Sequence, residues 1–263
     1  EIDSSNMTSI GIDETSQKRG HNYVTLAVDM KKKKVFHVTD GKGKATCKSI
    51  AEAITKQGGN IFNIKDVSMD MSPSFIQGCK ENFPLAEITF DKFHIMKLVN
   101  HALDLVRREE SKTQSSLKET RYMWLKNLNN LTEIQHAKLK ELLKDPYLKT
   151  AKAYALKLSF QDFWNCPFKE AECFLFDWIR QAKETKLEPL IQVANTIIRH
   201  WDGVIRWFES HINNGVLEGI NSSIQSAKRK ARGYRTSKNL ITMIYLLSGK
   251  INLDSILHLL PTQ

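Results

Sequence analysis

From residue 9 to residue 91 the apolar positions come in short runs separated by turn residues. Residues 9–15 (SIGIDET), 23–30 (YVTLAVDM) and 34–39 (KVFHVT) are rich in Val, Ile, Tyr and Thr and read as strands. The charged stretch 31–33 joins the second to the third as a hairpin. A helical stretch over 48–56 stops at Gly58-Gly59. Residues 64–70 (IKDVSMD) form a fourth strand, after which Ser72 as N-cap and Pro73 at the first helical position open a helix over 74–82. Pro84 breaks that helix, and residues 86–91 (AEITFD) form a fifth strand. The order β-β-β-α-β-α-β predicts an antiparallel meander of three strands, then two strands reached through helices. Connections of that length favour parallel pairing.

Beyond Asp91 the period lengthens. Ile95, Leu98, Val99, Ala102, Leu105 and Val106 recur on one side of a helix over 93–110. Thr132 and Gln135 have the spacing of a capping box ahead of a helix that carries Leu139, Leu142 and Leu143. Further helices are predicted over 148–160, 169–183 and 190–208. The five Trp residues fall between 124 and 207 and are assigned to core. The organisation expected is the first part of an α/β core over 1–91, a helical insertion over 92–213 and a helical return to the core over 214–263.

Composition narrows the function. With 39 Lys+Arg against 29 Asp+Glu, the 263-residue chain has a formal net charge of +10, which points to a polyanion, most often nucleic acid. No apolar run approaches the about 18–20 residues of a membrane span, so no membrane partner is expected. Four cysteines are too sparse for a disulfide scaffold or a zinc site, which makes a reducing cytoplasm the default. Cys166 and Cys173 are expected to be buried thiols. Glu1 in place of Met suggests a mature product or an excised fragment.

Carboxylates supply the candidate chemistry. Asp13 and Asp70 both end apolar strands, and in an open α/β sheet the carboxyl ends of adjacent parallel strands line the site crevice. Two carboxylates held close repel each other unless a cation bridges them, and oxygen-only ligands suit Mg²⁺ or Mn²⁺. Glu14 points away from Asp13, since strand side chains alternate. On a helical wheel over 215–231, Glu218 shares a polar face with Ser222, Gln225, Arg229 and Arg232, opposite Val216, Ile220, Ile224, Ala227 and Ala231. From Gly219 to Leu253 there is no acidic residue, whereas Lys228, Arg229, Lys230, Arg232, Arg235, Lys238 and Lys250 give +7. A one-sign stretch beside a single carboxylate suits a phosphodiester site, with cations for the backbone and an acid for metal. Lys228, Arg229, Lys230, Arg232 and Arg235 are the DNA-binding candidates. Asp91 ends the fifth strand and His94 follows one helical turn later, so both are candidates to support the ligands; the alternative is an N-capping Asp at a turn.

The segments IGIDETSQKRGHNYVTLAVD, VSMDMSPSFIQGCKENFPLAEITFDKFHIMKLVNHALDLVRRE and NGVLEGINSSIQSAKRKARGY resemble the catalytic part of bacterial insertion-sequence transposases of the ISL-three family. The resemblance implies a ribonuclease-H-like mixed sheet of about five strands, interrupted by a large helical insertion. It makes Asp13, Asp70 and Glu218 the catalytic, metal-holding triad. It also implies two Mg²⁺ (or Mn²⁺) ions, with cleavage of transposon-end DNA and transfer of the strand to target DNA. A homodimer or higher oligomer on DNA and a place beside the bacterial nucleoid in the cytoplasm follow from the same source. Members carry an N-terminal zinc-binding and helix-turn-helix region, so this chain is expected to be the catalytic core without it. A ribonuclease-H-like nuclease that cuts without joining, and a silent DNA-binding or dimerisation module, are the alternatives.

Overall fold

The computed structural model describes residues 2–17, 22–212 and 215–249; Lys250, the last base of the acid-free tract, lies outside them. The first elements are β1 (Ser9–Ser16), β2 (Tyr23–Asp29), β3 (Lys34–Asp40), α1 (Lys44–Lys56), β4 (Asp66–Met69), α2 (Pro73–Asn82) and β5 (Glu87–Phe90). Helices follow as α3 (Lys92–Glu110), α4 (Arg121–Leu125), α5 (Glu133–Leu142), α6 (Lys149–Phe163), α7 (Phe168–Glu184), α8 (Glu188–Arg199), α9 (Trp201–Ile205) and α10 (Trp207–Ser210). The last two described are α11 (Gly215–Lys230) and α12 (Ser237–Ser248). Two compact units result, one from the described parts of Glu1–Asp91 and Ser210–Gln263, the other from Lys92–Glu209.

The first unit is an α/β body of the ribonuclease-H-like kind. Its sheet has the order β3-β2-β1-β4-β5. β1 pairs antiparallel with β2, and β2 with β3. β1 pairs parallel with β4, and β4 with β5. The β2–β3 hairpin turns because Asp29 Oδ1 accepts from the backbone N–H groups of Lys31 (2.9 Å) and Lys32 (3.0 Å). α1 stops where Gly58 takes a φ of 77°, a conformation a side chain disfavours.

Strand alternation decides which residues meet α11 and α12. Gly11, Asp13 and Thr15 share one face of β1, and their partners on β2 are Val28, Leu26 and Val24. Those three valine and leucine side chains build a core with Val35, Val38, Leu217, Ile224, Leu240 and Ile244. α11 approaches closely over Gly11: a methyl group there would lie 2.6 Å from Met30 Sδ and 2.8 Å from Leu217 Cδ1. Tyr245 of α12 accepts from the Val38 N–H at 3.1 Å, beside the register shift between β2 and β3.

The second unit is all helix around an aromatic core. Phe160 meets Trp178 with ring centres 4.6 Å apart, and Trp124 meets Tyr154 at 5.3 Å. Trp124, Trp164 and Trp178 are buried, whereas Trp201 and Trp207 are half-buried. α6 is capped from a distance: Glu110 on α3 accepts from the N–H groups of Lys149 (2.8 Å) and Thr150 (2.7 Å) and from the Thr150 hydroxyl (2.7 Å). This satisfies donors that a helix start leaves open and places negative charge at the positive dipole end. Lys157 is fully buried, and its ammonium donates to the carbonyls of Trp124, Leu125 and Lys126 at 3.3, 3.5 and 2.9 Å. It thereby closes the C-terminus of α4. Among the described residues no helix is long and apolar enough to cross a membrane.

Some expectations need correction. The capping box at Thr132 and Gln135 is formed, but Ser72 makes no side-chain cap. Its N–H instead donates to Asp70 Oδ1 at 2.9 Å, and its hydroxyl meets that of Ser74. The single helix expected over 190–208 is three, broken at His200, whose φ of −119° leaves the helical region. α12 lies within the helical part expected over 214–263, and Thr236 caps it by accepting from the Asn239 N–H.

Two outcomes follow. Gly11→Ala overfills the contact between β1 and α11 and lowers unfolding free energy by about 1–3 kcal/mol in urea denaturation. Lys157→Met leaves three carbonyls without their donor and costs about 1–3 kcal/mol at pH 7. Burial pulls the Lys157 ammonium from 10.5 down to about 8. The unfolded chain therefore binds the proton more tightly, and wild type gains stability relative to Lys157→Met as pH rises from about 8 to 10.5.

Candidate active site

The carboxyl ends of the parallel strands carry a row of aspartates. The β1–β4 ladder pairs Ser9 with Asp66, Ile10 with Val67 and Gly11 with Ser68. The ladder ends there, two residues short of Asp13 and Asp70, which lie at the carboxyl ends of these adjacent parallel strands. On the other side Met69 pairs with Phe90, and the Asp91 N–H donates to the Met69 carbonyl at 2.9 Å. That is the bond a parallel ladder makes when Asp70 and Asp91 are neighbours. Adjacent strands lie about 4.8 Å apart, and paired residues face the same way. One step down, Gly11, Ser68 and Thr89 form a floor of small residues, with Thr89 bonded to Ser210 at 3.1 Å.

α11 lies along this face of β1, running in the strand's direction. The Asn221 amide donates to Asp13 Oδ2 at 2.5 Å and the Gln225 amide to Thr15 Oγ1 at 2.6 Å. Lys228 Nζ donates to the Ser16 carbonyl at 2.7 Å and reaches its hydroxyl at 3.3 Å. Five strand steps of about 3.3 Å from Gly11 to Ser16 and eleven helix steps of about 1.5 Å from Leu217 to Lys228 both come to about 17 Å. The two elements therefore stay in step over the whole contact.

The candidates named from the sequence fall at different depths. Asp13 is half-buried on β1, and its Oδ1 accepts from the Glu14 N–H at 2.7 Å. Asp70 is half-buried just past β4 and accepts from the Ser72 N–H; Asp91 is buried just past β5. Glu218 is exposed in the first turn of α11. It stands three residues before Asn221, so their Cβ atoms are about 5–6 Å apart. His94 is half-buried in the first turn of α3, in the helical unit, edge-on to the Phe93 ring. Arg229, Lys230, Arg232 and Arg235 are exposed, whereas Lys228 is half-buried and engaged with Ser16.

The wheel drawn from sequence misjudged the buried side of α11. Leu217 and Ile224 are its buried residues, with Val216 and Ile220 only partly so. The helix packs against both the sheet and α12, which turns the line of Asn221, Gln225 and Lys228 toward β1. Sequence inspection missed Asn221 altogether. Its one signal is its place three residues after Glu218.

The donor set fits a hard divalent cation, since it consists of carboxylates alone. Among the described residues, however, no three or more His, Cys, Asp or Glu side chains converge enough to hold a metal ion as they stand. Burial makes two of the thiols poor nucleophiles, pushing Cys47 up to about 11 and Cys79 up to about 12. Cys166 is half-buried and Cys173 exposed on the outer side of α7, contrary to the expectation of two buried thiols.

Comparison with known proteins gives the same direction. A family described as transposases, the DDE type of the ISL-three group, matches residues 10–244. The transposase for insertion sequence element IS1001 of Bordetella parapertussis is 28% identical over 247 residues, covering 89% of this chain and 59% of that protein. The transposase for insertion sequence element IS1557 of Mycobacterium tuberculosis is 28% identical over 270 residues, covering 92% of this chain and 60% of that protein. The chain thus spans about three fifths of the length of these curated relatives. A match across nearly the whole chain, on a mixed sheet with acids at its parallel strand ends, makes the chain a member of the ISL-three family of DDE transposases.

Proposed function

We propose that this chain is the catalytic part of a transposase that cleaves DNA phosphodiester bonds at the ends of an insertion sequence and joins the freed ends to target DNA. The observation that supports the proposal is the parallel pairing of β1 with β4, whose carboxyl ends carry Asp13 and Asp70, together with the bond from α11 to Asp13 one turn after Glu218. Asp13, Asp70 and Glu218 are the residues that would hold Mg²⁺ or Mn²⁺. When bound, two such ions polarise the scissile phosphate and activate an attacking water or 3′-hydroxyl.

The chain's own groups do the rest. The Glu14 N–H and the Asn221 amide hold the Asp13 carboxylate in a fixed orientation, and the Ser72 N–H does the same for Asp70. Asp91, which follows β5 as Asp70 follows the neighbouring β4, orients the ligands. Arg229, Lys230, Arg232 and Arg235 hold DNA phosphates, while Lys228, engaged with Ser16, contributes through its charge. No covalent protein–DNA intermediate is needed. The helical unit is an insertion into the catalytic core, and the working assembly is a dimer or higher oligomer on transposon-end and target DNA, in the bacterial cytoplasm. The names of the relatives, both transposases of insertion sequences, support this function.

Asp13→Ala, Asp70→Ala and Glu218→Ala should each abolish Mg²⁺- or Mn²⁺-dependent cleavage of labelled duplex DNA while DNA affinity stays within about threefold in filter binding. Wild-type cleavage by Asp70→Ala in Mn²⁺ would refute the assignment; cleavage by wild type without any joined product would favour the nuclease alternative. Replacing Arg229 and Arg232 together by Ala should weaken binding to all sequences alike. It should also reduce the slope of log affinity against log salt by about 1 for each phosphate no longer neutralised.

A further inference from the structure

One buried polar atom at the site has no role in the chemistry above. Asn221 gives its amide to Asp13 Oδ2, and its other polar atom, Oδ1, is buried and finds no hydrogen-bond partner among the described residues. The orientation follows from chemistry, because a carboxylate only accepts and so draws the NH₂ side of the amide toward itself. The carbonyl side is left without a donor. A buried carbonyl in that condition is costly, and Asn is a poorer helix former than Leu or Ala. Its neighbours on the same face donate elsewhere: Gln225 to Thr15 and Lys228 to Ser16. The bond to Asp13 explains the NH₂ side alone; the buried carbonyl side is explained by something that brings a donor.

A hydrated cation brings one. Mg²⁺ and Mn²⁺ keep several of their waters when carboxylates bind them, and those waters point their protons outward to acceptors. We infer that Asn221 is a positioning residue with two ends: its amide aligns Asp13, and its Oδ1 accepts a hydrogen bond from a water in the shell of the cation held at Asp13. The inference rests on the proposed metal-holding role of Asp13 and adds to it a residue one helical turn beyond Glu218. Through that turn, the same helix that carries Glu218 also fixes the direction of the Asp13 carboxylate.

Titration of the metal-free full chain with Mn²⁺, read by the EPR signal of free Mn²⁺ and paired with thermal unfolding, tests it. Asn221→Leu should weaken Mn²⁺ binding about 10–100-fold, while the unfolding midpoint without metal stays within about 2 °C of wild type or rises. Gln225→Ala, which removes the next bond along the same helix, should leave Mn²⁺ affinity within about twofold of wild type. Wild-type Mn²⁺ affinity in Asn221→Leu overturns the inference, and so does an equal loss in Gln225→Ala, which would make helix docking the cause. Asn221→Ala serves with the same readings if the Leu variant does not fold. Asp13→Ala separates the two levels. If it binds Mn²⁺ as tightly as wild type, the metal-holding role fails and takes the inference with it; if it loses Mn²⁺ while Asn221→Leu does not, only the inference fails.

Discussion

The distance between α11 and β1 is set by what Gly11 lacks. With no side chain at that position, Leu217 can settle on the strand, and the small floor of Gly11, Ser68 and Thr89 leaves room above it. Apolar burial between the sheet, α11 and α12 supplies the attraction, but burial is non-directional and does not choose a register. The polar bonds choose it. Asn221 to Asp13, Gln225 to Thr15 and Lys228 to Ser16 are satisfied together in one alignment. A slip of one residue would turn the helix by about 100° and break all three.

The acidic row carries an electrostatic burden that the fold meets locally. Asp13 and Asp70 each accept a backbone N–H from a residue just after them, Glu14 and Ser72. Such bonds fix the direction of each carboxylate. Glu218 occupies the first turn of α11, where the helix dipole favours negative charge. Each acid thus has its own local support. The bases sit at the other end of the same helix, where the dipole favours them in turn.

Much of this is legible in the sequence. The runs of Val and Ile locate all five strands, and the helix-length connections imply the parallel pairs that bring Asp13 and Asp70 to one edge. Those signals are local, and so they can be read from a window. Asn221 is not of that kind. Its importance depends on a partner in β1, which no local pattern reveals. Leu217 escapes the wheel for a related reason: the wheel finds one apolar face, whereas α11 is pressed between two neighbours. Ser72 looks like a cap by its residue type, but the nearby Asp70 carboxylate claims its backbone N–H instead. Lys157 reads as a surface residue in any window, and only the three carbonyls around it explain its burial.

Asp13 and Asn221 stand 208 positions apart in the chain. A ribosome therefore releases the strands of the acidic row long before it makes the helix that completes them, with the whole aromatic bundle synthesised in between. A nascent or prematurely ended product holds Asp13 and Asp70 but has no α11 to align them. In a protein proposed to cut DNA, Asp13 therefore meets its partner on α11 only after the whole helical unit between them has been made.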